Sequence, residues 1–104
     1  MIHEIYGQST ADIIQQFGKR YSQYRKRMRY TQKQIAEQTG LSIFTISSFE
    51  NGSSTGITLT SFIKLLRAVD MLEDVEKMLP ELPISPREIF EKQNKRKRSW
   101  KQMQ

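Results

Sequence analysis

The 104-residue chain contains no cysteine. That excludes disulfides, thiolate zinc sites and cysteine nucleophiles, and a reducing, cytoplasmic setting fits. Its single histidine, His3, has no second ligand candidate at useful spacing, so neither a metal nor a cofactor is expected. No apolar run approaches the roughly 18 residues of a membrane span. The opening stretch MIHEIYGQST lacks the basic-then-apolar order of a signal peptide. A glycine-rich phosphate loop is missing, as is a pair of close carboxylates in an apolar setting, so an enzyme is not expected. Strand-like alternation is confined to the first six residues, and there is no internal repeat. What remains is a small all-α domain, because a modest core is best built from a few packed helices.

Charge is present in blocks. Residues 13–36 carry seven cations (Lys19, Arg20, Arg25, Lys26, Arg27, Arg29 and Lys33) and no acid. Residues 70–91 hold seven of the eleven acids, and the tail is basic again at Lys95, Arg96, Lys97, Arg98 and Lys101. The formal net charge is +6. A chain that needed only solubility would mix its signs; clustering favours a polyanionic partner.

Spacing of apolar residues and capping signals predict five helices. The first runs over 10–27, capped by Ser9 with Asp12 three residues on, and turns Ile13, Ile14, Phe17, Tyr21 and Tyr24 to the core. Gly18 in its middle costs about 1 kcal/mol relative to alanine. The second, 32–38, opens with a Thr31/Gln34 capping box and stops at Gly40. The third, 43–50, is capped by Ser42 and broken by Asn51-Gly52, with Ile46 and Phe49 on its inner face. A loop over 51–57 leads to a fourth, 59–69, whose apolar side is Phe62, Ile63, Leu65, Leu66 and Val69. A fifth covers 72–79 and carries Val75, Met78 and Leu79, with Met78 read as core filler. Pro80 and Pro83 end the regular domain. Ser85-Pro86 reads as a cap followed by proline at the first helical position, so a short helix is expected over 86–93. Beyond Asn94 the composition is that of a disordered tail. The domain boundaries expected are an arm at 1–8, the helical domain at 9–80 and an extension at 81–104.

The informative stretch is Thr31 to Gly52, TQKQIAEQTGLSIFTISSFENG. Two short, separately capped helices are joined by a tight turn at Gly40. Neither persists alone in water, since helix nucleation is too costly. The pair must pack on helices 1, 4 and 5, which leaves the outer face of helix 3 free. Ile43, Phe44, Ser47 and Ser48, with Thr45 beside them, are expected there. A neutral face between basic shoulders suits double-stranded DNA: cations such as Arg29 and Lys33 hold phosphates, serine and threonine hydrogen-bond base edges, and Ile43 and Phe44 fit a thymine methyl.

TQKQIA, TGLS and ISSFENG together resemble the helix-turn-helix of the phage repressor and Cro family, the xenobiotic-response-element (XRE) type. The likeness covers about residues 15–70. It implies a five-helix repressor-like fold and a transcriptional regulator. It implies that Gln32 touches a phosphate, that Ile43, Phe44, Ser47 and Ser48 lie in the major groove, and that Asn51 and Gly52 approach the DNA backbone through main-chain N–H groups. It pairs Arg25 with Glu50. Relatives often have Arg, Gln or Asn where this chain has Ile43 and Phe44, so DNA shape gains weight in recognition. A looser likeness links ITLTSFIKLLRAVDMLEDVEKMLPELPISPREIF and the basic tail to repressors encoded beside HipA-type kinase toxins, which implies an antitoxin with a toxin protein as second partner.

Plainer readings stand beside these. Arg25 and Glu50 also read as surface charges, Ile43 and Phe44 as core or protein-contact residues, and Ser47 and Ser48 as solvated. Tyr21, Tyr24 and Tyr30 among cations resemble stacking platforms for single strands, although helix packing explains the first two more simply. A repressor or autoregulator reading paired half-sites is expected to be a homodimer. Leu72, Val75, Met78, Leu82 and Ile84 are the candidate dimer surface.

Overall fold

The computed structural model describes residues 4–103, with side-chain environments for 5–94; His3 and the first residues of the expected arm lie outside the described part. After a 3₁₀ turn at Glu4–Gly7 come α1 (Thr10–Arg27), α2 (Gln32–Thr39), α3 (Ile43–Asn51), α4 (Leu59–Ala68), α5 (Glu73–Met78) and α6 (Pro86–Met103). The described residues contain no strand, and none of their helices is long and apolar enough to cross a membrane. The alternation of the first six residues therefore gives a helical turn where it is described.

Side-chain caps fix where most helices begin. Ser9 Oγ accepts from the Asp12 N–H at 3.0 Å and Asp12 Oδ2 from the Ser9 N–H at 3.4 Å. Thr31 and Gln34 form the same reciprocal pair at 3.1 and 2.8 Å. Ser42 and Thr58 cap α3 and α4. Each such cap satisfies an N–H that the helix itself cannot, and is worth about 1 kcal/mol. At the other ends, Gly40 (φ 77°) and Gly52 (φ 81°) take the left-handed conformation that stops α2 and α3.

The core is Tyr21, Ile35, Ile46, Phe49, Leu65, Leu66 and Val69, so α1, α2, α3 and α4 all contribute. Ile35, Ile46, Phe49 and Leu65 are the largest side chains wholly removed from water. Phe49 sits between Tyr21 (centroids 6.0 Å apart) and the edge of Phe62 (6.0 Å). The Tyr21 hydroxyl donates to the Leu65 carbonyl at 2.9 Å. Burial, and after it the charge of Glu50, hold that phenol well above its ordinary pKa. Gly18 explains itself: a Cβ there would lie 1.9 Å from the Phe49 carbonyl oxygen. The helical cost of glycine is accepted so that α1 and α3 touch backbone to backbone.

Three expectations need correction. Tyr24 is 42 % exposed and lines a groove instead of the core. Met78 is exposed as well, and so is its neighbour Leu79, because α5 is only six residues, has no side-chain cap and is cut short before Pro80; of that helix, Val75 packs against the core. The C-terminal helix begins at Pro86, under a Ser85/Glu88 capping box, but runs on to Met103 because nothing after it breaks a helix. Its described side chains add nothing to the core: residues 76–93 are all exposed. The Cα radius of gyration, 20.1 Å, reflects this outlying segment, against about 13 Å for a compact chain of this length.

Candidate nucleic-acid interface

The frame of the site is a buried ion pair. Arg25, near the end of α1, meets Glu50, near the end of α3, through two parallel bonds: Nε to Oε2 at 2.7 Å and Nη2 to Oε1 at 2.9 Å. Their side chains are 10 % and 6 % exposed. Arg25 Nη1 donates to the Tyr30 carbonyl at 2.8 Å, and Gln32 Nε2 donates to Glu50 Oε1 at 3.0 Å. The guanidinium thus ties α1, the turn after it, the first residue of α2 and α3 into one network. The bond to Glu50 raises the Arg25 pKa further above its usual value, outweighing the effect of burial. A planar fork matched to a carboxylate makes this pair directional as well as charged.

The turn between α2 and α3 is held from within. Thr39 Oγ1 donates to the Ile35 carbonyl at 2.7 Å and accepts from the Leu41 N–H at 3.2 Å. With Ile35, Ile46 and Phe49 inside, α3 has one outward side. Phe44 is 79 % exposed and Ile43 is 47 % exposed there. Thr45 and Ser47 are half-buried, and the Thr45 hydroxyl is bonded to Ser42 Oγ at 2.9 Å. Lys33 and Arg29 are exposed. Arg29 holds a left-handed backbone, φ 63°, in the turn after α1. Gln32 is half-buried and shares its amide with Glu50.

Two expected contacts have settings that differ from the expectation. Ser48 is buried, 5 % exposed, and lines the cleft that Phe44 and Thr45 also line. The reason lies outside its helix: the loop after α3 folds back over the last turn, the Ser54 N–H donating to the Ser48 carbonyl at 3.1 Å. A helical wheel of α3 alone contains no such loop. The Gly52 N–H is not offered to a ligand. It donates to the Phe49 carbonyl at 3.3 Å, while the Gly52 carbonyl accepts from Gln15 Nε2 at 3.1 Å. Asn51 is exposed, and its Oδ1 accepts from the Ser53 N–H at 2.8 Å, which turns the chain into that loop.

Sequence reasoning missed the loop as a wall of the site. Phe44 and Thr45 share a cleft of about 290 Å³ with Ser54, Ile57, Thr58 and Ser61. The only signal was the run of small polar residues after Gly52, which marks a loop but not its path. Residues 22–78 of the chain match the family described as helix-turn-helix, whereas no curated protein and no solved structure matches it.

Proposed function

Because the chain belongs to the helix-turn-helix family, and is a DNA-binding transcriptional regulator of the XRE type, we propose that it is a repressor or autoregulator that reads the major groove with the outward side of α3. The observation that carries this reading is the pairing of two exposed apolar side chains, Phe44 and Ile43, with a face free of negative charge. The one acid on α3, Glu50, is turned inward onto Arg25. Ile43 and Phe44 then meet thymine methyl groups, the apolar feature of the major-groove edge. Thr45 and Ser47 border them. Arg29 and Lys33 hold phosphates on either side, joined by the Asn51 side-chain amide and by the amide hydrogen of Gln32 that Glu50 does not take. Glu50 aims Gln32 by fixing its other hydrogen.

The protein acts as a homodimer on paired half-sites, in the cytoplasm. A wider reading adds a kinase-type toxin as protein partner, with this chain as its antitoxin. The exposed Leu79, Leu82, Ile84 and Phe90 favour some protein partner. Co-purification with a kinase encoded beside this chain supports that reading; purification alone reduces it to a DNA regulator.

Selection of random duplex DNA by the purified protein at two salt concentrations tests the main reading. The expected result is an enriched inverted repeat bound with a steep salt dependence. Salt-sensitive binding with no enriched sequence removes the repressor reading.

A further inference from the structure

Among the described residues, two surfaces are left without a partner, and they are complementary. One is a groove of about 230 Å³ between α1, α4 and α5. Phe17 lies in it, stacked on Phe62 with centroids 5.8 Å apart and rings 9° from parallel. Tyr24, Met71 and Met78 give it further apolar wall. Its charged members are Arg20 and Asp74, and Asp74 is 3.5 Å from Lys77. Arg20 and Arg27 line the adjoining hollow on α1. The groove is therefore aromatic with a mainly cationic rim.

The other surface is the arm after α5. Leu79 is 88 % exposed and Leu82 83 % exposed, and Ile84 and Phe90 are exposed too. Glu81, Glu88 and Glu91 stand among them, lining one hollow with Leu82 and Ile84. Lys92 lines the same hollow and Arg87 pairs with Glu91 at 3.4 Å, so the arm is apolar with acids only slightly in excess, Glu81 and Glu88 being the two nearest its apolar residues.

We propose that the arm of one copy, residues 79–90, seats in the groove of a second copy, and that the exchange is reciprocal; this rests on the homodimer reading above and specifies its interface. The chain's own groove is a poor home for its own arm. Met78 forms part of the groove, and the arm leaves directly from it. The chain bends at Leu79, φ −143° and ψ 76°, and residues before Pro80 and Pro83 are held out of the helical region. Leu79, Leu82 and Ile84 stay exposed instead of entering the groove that they leave. Arms pairing with each other would leave both apolar grooves open. Reciprocal exchange places acid on base twice and closes under two-fold symmetry, so assembly stops at the dimer.

The absence of cysteine makes the test clean. Met71→Cys protein and Leu82→Cys protein are mixed and treated with a short bismaleimide, alongside sedimentation of the untreated full-length chain. A covalent mixed dimer, twice the 12.3 kDa chain, is expected. Leu82→Cys chains that link chiefly to one another, or a Met71→Cys/Leu82→Cys chain that links within itself, overturn the exchange while leaving a DNA regulator. A chain that sediments as a monomer at every concentration removes the homodimer itself. As a second reading, Arg20→Glu and Glu88→Arg are each expected to weaken dimerisation about tenfold, with recovery when both are present. Both positions are exposed; Glu88 also accepts from the Ser85 N–H, so Glu88→Gln, which keeps an acceptor there, is the control for loss of the cap. No recovery in the double variant counts against this register of arm and groove.

Discussion

The helices α1 and α6 are each 18 residues long and carry many cations, and each begins under a serine whose hydroxyl takes part in a reciprocal bond with the acid three residues on. Locally they are nearly the same object. Yet α1 buries Gly18, Tyr21 and Arg25, whereas no side chain described on α6 is buried. Capping decides where a helix starts; it does not decide what the helix is for. Burial needs a face that repeats at helical spacing and a partner to receive it. Helix α1 has Ile14, Phe17 and Tyr21 in register and α3 against it. An unpacked helix of the length of α6 is marginal in water.

The sharpest way to break this comparison uses one residue pair in two settings. Arg25→Ala leaves Glu50 buried without its partner and is expected to cost about 3–5 kcal/mol of stability in urea unfolding. Arg87 and Glu91 form the equivalent pair on α6 at 3.4 Å, with side chains 89 % and 63 % exposed. Arg87→Ala is expected to change stability by less than about 0.5 kcal/mol. Equal losses would erase the distinction. Next in size, Gly18→Ala must part α1 from α3 and is expected to cost about 1–3 kcal/mol, although alanine is the better helix former. A neutral result in thermal unfolding would show that the two backbones have slack.

Phe44→Ala separates exposure that serves binding from exposure that serves nothing. Its expected cost is about 1–3 kcal/mol in affinity for the selected DNA site, with site preference changed and unfolding unaffected. Uracil in place of the contacted thymine should imitate the variant, and an unaltered affinity for uracil DNA would remove the methyl contact. Tyr21→Phe is smaller, about 1 kcal/mol at neutral pH for the lost bond to the Leu65 carbonyl. Because burial raises the folded pKa above the ordinary 10.0, the stability of the neutral phenol is complete below pH 10 and is lost as pH rises past it. Phenylalanine does not suffer that loss, so the gap between the two proteins should narrow in alkaline unfolding. Smallest is Lys33→Ala: a uniform weakening on all DNA sequences and a salt slope lowered by about 1.

Most of the helical skeleton was legible because its signals are local. Ser9, Thr31, Ser42, Thr58 and Ser85 each cap a helix near where they predict one, and Gly40 and Gly52 end theirs with positive φ. What was not legible depends on residues distant from the position concerned. Ser48 looks outward on its own helix until the following loop covers it. Tyr24 keeps the spacing of a core residue, but α5 is too short to cover it. The Gly52 N–H reads as a free donor until the Phe49 carbonyl takes it. Phe44 was the reverse case: its exposure followed from the inward turn of Ile46 and Phe49, two and five residues on and so off its face, whereas Ile43, three before Ile46, is exposed as the first residue of α3.

Where Gly18 meets the Phe49 carbonyl, no side chain stands between the two helices to be trimmed or enlarged. Ordinary drift in core residues, which tilts packed helices by small steps elsewhere, has little purchase at this contact. The angle at which α3 is presented is inherited as a fixed quantity. On the proposed groove reading, descendants of this sequence that come to prefer a different DNA site change the side chains at 43, 44, 45 and 47 while the mount stays where it is.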